Sequence, residues 1–466
     1  MTRLTQGFRE SPRSLFLNLV PEESRKQVRF IHLSNFEAER YWTESASIQL
    51  PKISQSTETA IVNRLEEMVL LLSESPDTVI LREPSDEQFL SYLRDLGFNL
   101  PLILTADPVD KAMPISETVL ESPLLCRRLT DIAEENAESY LLPYATTRME
   151  EEISRMTGLG LCGPSAAVAA KVNSKIYSRR IGRALGLHAV PGFECESLGE
   201  LEAAVLKIGD TFAEAKKVVI KEAMGVSGKG LFVANSLGKL QQVVTRLKQK
   251  VRDDARCAFV LETWVDKCKD INYQIFISPT GEVRLLTIKE IVTEGGVHLG
   301  HRFPPSITPE QYQQYEEAAQ LIGRQLHKDG FNGIAGIDSV IALDGSVYPV
   351  LEINARFNMS TYQLGIEKLF APGATVFAKY YPIMLKEKLA FDRLVEPLKE
   401  LLFDPESGET GVLIQNFATV NANCGGGEPP PFKGRLYVLL IGEAPDRIQQ
   451  LDLAMINALK QLQHTN

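Results

Sequence analysis

Short apolar runs alternate with three- or four-residue periodicities through the first 165 residues. LFLNLV at 15–20, VRFIHL at 28–33, TVIL at 78–81 and PLILT at 101–105 read as strands, and residues 59–73 and 86–96 read as helices. Strands alternating with helices predict an open α/β sheet. No GxGxxG follows any of these strands, so a classical dinucleotide site is not expected. LLPYATTR at 141–148 is a Pro-containing polar stretch ahead of a helix that begins near Met149. It reads as a hinge or, equally, as the lining of a substrate cleft.

A second block, residues 166–370, has a different texture. VNSKIYSRR at 172–180 carries Lys175 in a helical pattern that runs to Leu185, with Gly186 as its stop signal. VVIK at 218–221 is a strand ending in Lys221, and LFVA at 231–234 is another. The loop between them, GVSGKG, holds Gly225, Ser227, Gly228, Lys229 and Gly230. Glycine accepts positive φ and lets backbone N–H groups approach an anion closely, and the two lysines add charge. No GK[ST] opens a helix here, so this is not a Walker A loop. Taken alone, such a loop is more often an ordinary solvated hairpin, and Lys175 a solvated helix lysine. AFVLETWV at 258–265 is a strand running into a polar hinge at Glu262, Trp264 and Val265. Such a hinge suits adenine, whose edge is read by backbone groups in a mostly apolar pocket. Asp270 lies within reach of a ribose, and Trp264 reads equally as a core aromatic.

The most unusual pattern follows. Asp338 interrupts the apolar strand GIAGIDSVIA at 333–342, where an unpaired charge is costly. Asp344-Gly345 marks a tight turn, and the chain returns through VYPVLEINARF at 347–357. There Glu352, Asn354 and Arg356 alternate with Ile353, Ala355 and Phe357. A strand would set the polar three in a row on one face, about 6–7 Å between neighbours. The turn brings Asp338 beside Glu352. Two such carboxylates repel unless a cation lies between them. With an amide carbonyl nearby, the set suits magnesium shared with substrate phosphates. A solvated sheet face, or an ion pair with Arg356, would produce the same letters.

Charge and cysteine content narrow the class. The 466 residues carry a formal net charge of −10 with no long run of one sign, which argues against nucleic-acid binding but leaves room for a local anion site. That length predicts about three domains. Six scattered cysteines form no CxxC pair, so neither a disulfide framework nor a structural zinc site is expected. The N-terminus lacks an apolar core and no apolar run is long enough to cross a bilayer, so a cytoplasmic, membrane-free protein is expected.

In order, Lys175, Lys221, the 225–230 loop, the 262–265 hinge, Asp338 and the Glu352–Asn354–Arg356 row resemble the ATP-grasp carboxylate-amine ligases over roughly residues 165–370. That resemblance implies that the lysines and glycine loop bind the phosphates of ATP. It places adenine at the hinge, the ribose at Asp270 and Mg2+ at Asp338, Glu352 and Asn354. Arg356 would steady an acyl phosphate. Many members have Pro where this chain has Ala355. LLPYATTR and GVLIQNFATVN at 411–421 are similar to a subgroup that includes the peptide ligase of pheganomycin biosynthesis and the acyl-carrier-protein ligase of butirosin biosynthesis. The subgroup implies a Rossmann-like pre-ATP-grasp domain at 1–165, an ATP-grasp core at 166–370 and a small C-terminal α/β cap at 371–466. Within the last block, residues 423–432 read as a Gly/Pro connector, 435–441 as a strand and 444–462 as an amphipathic helix. Cys424 reads as a loop cysteine.

The activity this implies is ATP-dependent ligation of an amino acid or peptide carboxylate to an amine through an acyl phosphate, in natural-product biosynthesis. A carrier-protein thiol as acceptor, a carboxylate kinase and a non-catalytic ATP-binding protein remain as alternatives. A homodimer is compatible with the resemblance. Lys221 and Arg356 would be catalytic. Residues 289–302 read as a substrate-facing loop in which His298 and Arg302 bind a carboxylate or phosphate, or are simply solvated.

Overall fold

The computed structural model describes residues 8, 10–42, 50, 56–106, 113–215, 217–225, 230–249, 256–294, 297–408, 410–425 and 429–465. They form three sheets. The first contains β1 (Arg29–Leu33), β2 (Thr78–Leu81), β3 (Leu102–Thr105), β4 (Ser139–Pro143) and β5 (Gly160–Leu161). These strands are parallel, in the order β3-β2-β1-β4-β5. This is the expected open α/β sheet.

The stretch at 15–20 is not a strand. Pro12–Phe16 is an α-helix that tightens into a 3-10 turn at Leu17–Leu19. The cap decides the outcome: Ser11 Oγ accepts the Arg13 N–H at 3.2 Å, and Pro12 occupies the first turn, where it is pre-set for helix. Leu15 and Phe16 are fully buried. The helix expected at 86–96 spans Glu87–Asp95, capped by Asp86, whose side chain accepts two backbone N–H groups. The segment at 141–148 is packed, not a hinge. Tyr144 accepts the Phe357 N–H at 3.0 Å, and Thr147 with Glu150 forms a capping box for helix Arg148–Thr157.

The second sheet is antiparallel, with β6 (Gly192–Ser197), β7 (Val218–Glu222), β8 (Leu231–Ala234) and β9 (Arg256–Thr263) in the order β6-β9-β7-β8. The expected hairpin is present: Lys221 pairs with Leu231. Gly230 (φ +79°) takes the left-handed conformation, and a Cβ there would lie 2.5 Å from the Glu222 carboxylate.

The third sheet has eight strands: β10 (Lys267–Ile277), β11 (Val283–Glu294), β12 (Val297–Phe303), β13 (Gly333–Ala342), β14 (Val347–Asn354), β15 (Thr375–Leu385), β16 (Gly411–Asn416) and β17 (Phe432–Gly442). Their order is β14-β13-β10-β11-β12-β15-β17-β16. Residues 289–302 are therefore not a loop. β11 and β12 form a long antiparallel hairpin whose alternation of polar and branched residues suits a half-buried ribbon. The C-terminal strands join this sheet edge to edge, β15 pairing with β12, and helix Pro445–Thr465 lies against β15 and β17. Helix Lys175–Ala184 packs on β14, and helix Pro309–Lys328 covers β10, β11 and β14. The core beneath them includes Tyr273, Tyr315, Ile322, Ile337 and Ile353.

Candidate active site

Three elements converge where the second sheet faces the third. Lys175 is the first residue of its helix, and its backbone N–H donates to Ala223 O at 2.9 Å. Its ammonium donates to Glu352 Oε1 at 2.7 Å and to Gly225 O at 3.0 Å. One lysine thus ties the glycine loop to the end of β14. One turn later Arg179 donates to Glu194 at 2.8 Å and to Glu262 Oε2 at 2.6 Å. The other oxygen of Glu262 pairs with the Lys221 ammonium. Each of these charges is partnered, Arg179, Glu194 and Glu262 in buried or nearly buried positions and Lys175, Lys221 and Glu352 partly screened from water, which holds their geometry.

Asp338 lies directly opposite Glu352 in the β13–β14 register, and Asn272 of β10 lies opposite Asp338 on the other side. Asp338 accepts from Asn272 Nδ2 at 2.8 Å and from Asn354 Nδ2 at 3.0 Å. Burial, and then the neighbouring Glu352 charge, push its carboxyl up to about 6. Among the described residues no three His, Cys, Asp or Glu side chains are grouped to hold a metal by themselves. Two facing carboxylates with an amide fit a hard cation that takes its remaining ligands from phosphate oxygens and water, the usual habit of Mg2+. The raised Asp338 carboxyl fits too, because a cation beside it offsets the cost of burying the charge and the repulsion from Glu352.

Arg356 lies two residues beyond Asn354, the last residue of β14. Its Nε donates to Glu39 Oε1 at 3.0 Å, its Nη1 to Phe357 O at 3.2 Å and its Nη2 to Asn354 Oδ1 at 2.9 Å. The guanidinium sits 5.3 Å from the Tyr144 ring centroid. The polar row of the sequence is therefore one network: Lys175, Glu352, Asp338, Asn354 and Arg356 are linked in sequence by hydrogen bonds or register.

Comparison with known proteins agrees with this geometry. Residues 65–159 match the pre ATP-grasp domain family, and residues 175–362 match the carbamoyl-phosphate synthase L chain, ATP binding domain family. The chain carries a pre ATP-grasp domain and an ATP-grasp ATP-binding domain. A relative from Niallia circulans, a [butirosin acyl-carrier protein]–L-glutamate ligase, is 26% identical over 68% of this chain and 70% of its own. Among solved structures, biotin carboxylase from Campylobacter jejuni in an ATP complex superposes with a TM-score of 0.55 at 12% identity, covering 94% of this chain and 95% of that one. The biotin carboxylase domain dimer of Hydrogenobacter thermophilus 2-oxoglutarate carboxylase, in complex with MgADP and bicarbonate, gives 0.51 at 15% identity over 91% and 89%. At these identities the structures establish the ATP-grasp fold.

Within that fold the other expected residues are placed as follows. Trp264 and Val265 follow β9 at half-buried positions; the Trp264 N–H donates to Lys217 O at 3.0 Å and Lys267 lies 5.9 Å from its ring centroid. Asp270 sits on β10, half-buried, and accepts from Lys267 at 2.5 Å. Ser227, Gly228 and Lys229 lie outside the described residues. His298 is placed by its backbone in β12, opposite Thr293. Arg302 lies on the same strand, opposite Glu290 and Phe377, and its guanidinium is 5.7 Å from the Phe377 ring centroid. Ala355 is buried beside the site, as its alternation requires.

The structure also adds site residues that the sequence reading did not single out. Asn272 was legible: Asp270, Asn272 and Gln274 alternate with Ile271, Tyr273 and Ile275, the same period-two signal as in β14. Lys289 is fully buried, donating to Gln363 Oε1 at 2.8 Å and lying 2.9 Å from Glu367. Glu39 holds the Arg356 guanidinium and Asn358 its backbone, donating to the Arg356 carbonyl at 2.9 Å. No local pattern announces either.

Proposed function

We propose that this ATP-grasp protein is an ATP-dependent ligase that activates a carboxylic acid as an acyl phosphate and joins it to an amine, forming an amide with ADP and phosphate. The observation that carries the reading is the Lys175–Glu352–Asp338–Asn354–Arg356 network, which gathers cations and a cation-binding carboxylate pair in one place. In the first step a carboxylate oxygen of the substrate attacks the γ-phosphorus; the new O–P bond forms as the bond to ADP breaks. Lys175 and Lys221 neutralise phosphate charge, and Arg356 steadies the acyl phosphate. Mg2+ held by Asp338, Glu352 and Asn354 would supply charge neutralisation at the phosphate oxygens. In the second step the amine nitrogen attacks the acyl carbon. The C–N bond forms, phosphate leaves, and the amine gives up a proton. Positioning supplies most of the acceleration.

A role in natural-product biosynthesis, with an amino acid or peptide as substrate, fits the similarity to the butirosin ligase. The same similarity favours a second reading, transfer to a carrier-protein thiol, and the dimeric neighbour is compatible with a homodimer. No described helix is long and apolar enough to cross a membrane. The deciding experiment is phosphate release with ATP, Mg2+ and amino acids singly and in pairs, with mass spectrometry of the products. Release that needs a pair, with a product equal to the two acids less water, supports amide ligation. Release that needs a carrier protein supports the thioester reading. Phosphate release with neither acceptor contradicts both.

A further inference from the structure

The polar row of β10 continues past Asn272 into the core. Gln274, two residues on, is fully buried, as are Ser360 and Thr361. An amide taken out of water needs partners at both ends, and Gln274 has them. Its Nε2 donates to Ser360 Oγ, and its Oε1 accepts from Thr361 Oγ1 at 2.9 Å. Two arms run on from there. Ser360 Oγ donates to Asn272 Oδ1 at 3.3 Å, and Asn272 Nδ2 donates to Asp338 at 2.8 Å. Thr361 Oγ1 accepts the Asn358 N–H at 2.8 Å, and the Asn358 amide donates to the Arg356 carbonyl at 2.9 Å. One glutamine therefore joins the carboxylate pair to the loop that carries Arg356, with a hydrogen bond at every step between side chains.

The direction of this chain is forced. A hydroxyl donates or accepts, and an amide faces either way round, but the two ends have no such choice. The Asn358 backbone N–H only donates, and an ionised Asp338 only accepts. Thr361, having accepted from Asn358, turns its own proton to Gln274 Oε1. That leaves Gln274 its N–H for Ser360, Ser360 its proton for Asn272 Oδ1, and Asn272 its N–H for Asp338. Every donor points towards Asp338, whose charged form gains from the hydrogen bonds it accepts. Turned round, Asn272 would set a carbonyl against the carboxylate. The segment is also clamped from its far side: Thr361–Gln363 is a 3-10 turn, and the buried Lys289 ammonium donates to Ser360 O at 3.3 Å and to Gln363 Oε1 at 2.8 Å. Gly336 lies opposite Gln274 on β13, where a Cβ would meet the Asn358 amide, so its bare backbone leaves room for the segment. Packing alone does not call for this arrangement, since a methionine fills such a core position without polar partners.

We propose that Gln274 is a positioning residue for the catalytic centre: its amide fixes which end of the Asn272 amide meets Asp338, and so how firmly the carboxylate pair holds its cation. This role rests on the ligase reading above, with Mg2+ at Asp338, Glu352 and Asn354, and adds to it the buried groups that orient the site. Gln274 touches neither cation nor substrate and acts through Ser360 and Asn272. Partners of this kind typically change metal affinity ten- to a hundredfold when they are removed.

The test is the gain in affinity that Mg2+ gives the full-length chain for a fluorescent ATP analogue, read as the ratio of dissociation constants without and with the ion. Gln274→Met keeps the volume and removes the amide. It should reduce that ratio about tenfold, the lower end of the range for such partners, and leave metal-free affinity for the analogue unchanged. Ser360→Ala deletes one hydroxyl and cuts the chain at its next link. It should do the same, and it decides the matter if the methionine variant does not fold. In an Asn272→Ala background, Gln274→Met should have no further effect on the ratio, because the glutamine acts through Asn272. A ratio that the substitutions leave at its native value overturns the proposal. So does an undiminished further loss in the Asn272→Ala background, or a parallel loss of metal-free affinity, since each marks a general structural role. The cation reading fails on a different result: a native chain whose affinity for the analogue is the same with and without Mg2+ removes the cation from Asp338, and the role of Gln274 falls with it.

Discussion

Arg356, just past the end of β14, and Glu39 in the N-terminal block are 317 positions apart, yet Glu39 Oε1 accepts from both Nε and Nη2 of the same guanidinium. Both side chains are about nine-tenths buried, at 8% and 11% exposure. A buried guanidinium is held by whatever accepts from it, so the N-terminal block aims a residue of the ATP-grasp core. Glu39 is a positioning residue in this account. Glu39→Gln keeps the shape and removes the charge. It should lower kcat by up to about a hundredfold, the order expected for an ångström-scale misplacement, with little change in nucleotide affinity. Steady-state phosphate release beside nucleotide titration checks the split. Equal loss of both would mean a general structural role instead.

The carboxylate pair gives a sharper expectation. Glu352 accepts the Lys175 ammonium and faces Asp338 across the β13–β14 register. Glu352→Ala should abolish ATP turnover while leaving the fold intact, since Glu352 is only partly buried, at 24% side-chain exposure. Removing its charge also removes one cause of the raised Asp338 carboxyl. Circular dichroism and thermal unfolding report the fold, and phosphate release reports activity. Full ATP-dependent activity in this variant would overturn the cation assignment.

How much of this was legible depended on range. Asp338 and Glu352 are separated by one tight turn at Asp344-Gly345, so an acid inside an apolar strand and a polar row on the return strand were enough to pair them. Gly186 (φ +69°) ends the Lys175 helix where the sequence placed its stop. LFLNLV misled because an apolar run without a period does not separate strand from helix, and the information lay upstream in Ser11 and Pro12. The hairpin of β11 and β12 was hidden by its glycines, which read as loop residues although its flanks alternate like strands. Glu39 with Arg356, and Lys289 with Glu367, are unions of distant segments. Glu39, Lys289 and Glu367 each look like an ordinary charge along the sequence, and only folding brings them to their partners.

Glu66 provides a pH dependence of stability that is separate from catalysis. It is buried in the 3-10 segment Arg64–Leu71, accepting the Arg82 N–H at 2.6 Å, with Arg82 Nε at 3.5 Å and Arg64 Nη1 at 3.6 Å. Burial outweighs these cations and pushes its carboxyl from 4.5 up to about 7. Between those values the folded chain binds more protons than the unfolded one, so stability from this group is greatest at low pH and falls as pH rises from about 4.5 to about 7. At 1.36 kcal/mol per pH unit the swing is about 3 kcal/mol. Glu66→Gln removes the titration. Its unfolding temperature relative to the native chain should therefore climb across that window. A constant difference between the two proteins from pH 4.5 to 7 would show that Glu66 ionises freely when folded.

Gly336 offers a way to disturb Arg356 without touching a charge. It lies on β13 opposite Asn354, and a Cβ there would collide with the Asn358 side-chain amide. Glycine inside a strand marks such close approaches. Asn358 is the residue that donates to the Arg356 carbonyl, at 2.9 Å, while its own N–H donates to Thr361 Oγ1 at 2.8 Å. Gly336→Ala must displace that amide and, with it, the loop carrying Arg356. The expected result is a fall in kcat of roughly tenfold or more, again of the size that misplacement produces. A double-mutant cycle with Asn358→Ala isolates the cause. Once the amide is gone the added methyl has room, so Gly336→Ala should cost little in that background, giving a coupling well above the few tenths of a kcal/mol typical of independent sites. Simple additivity of the two losses would place the effect of Gly336→Ala somewhere other than the Asn358–Arg356 hydrogen bond.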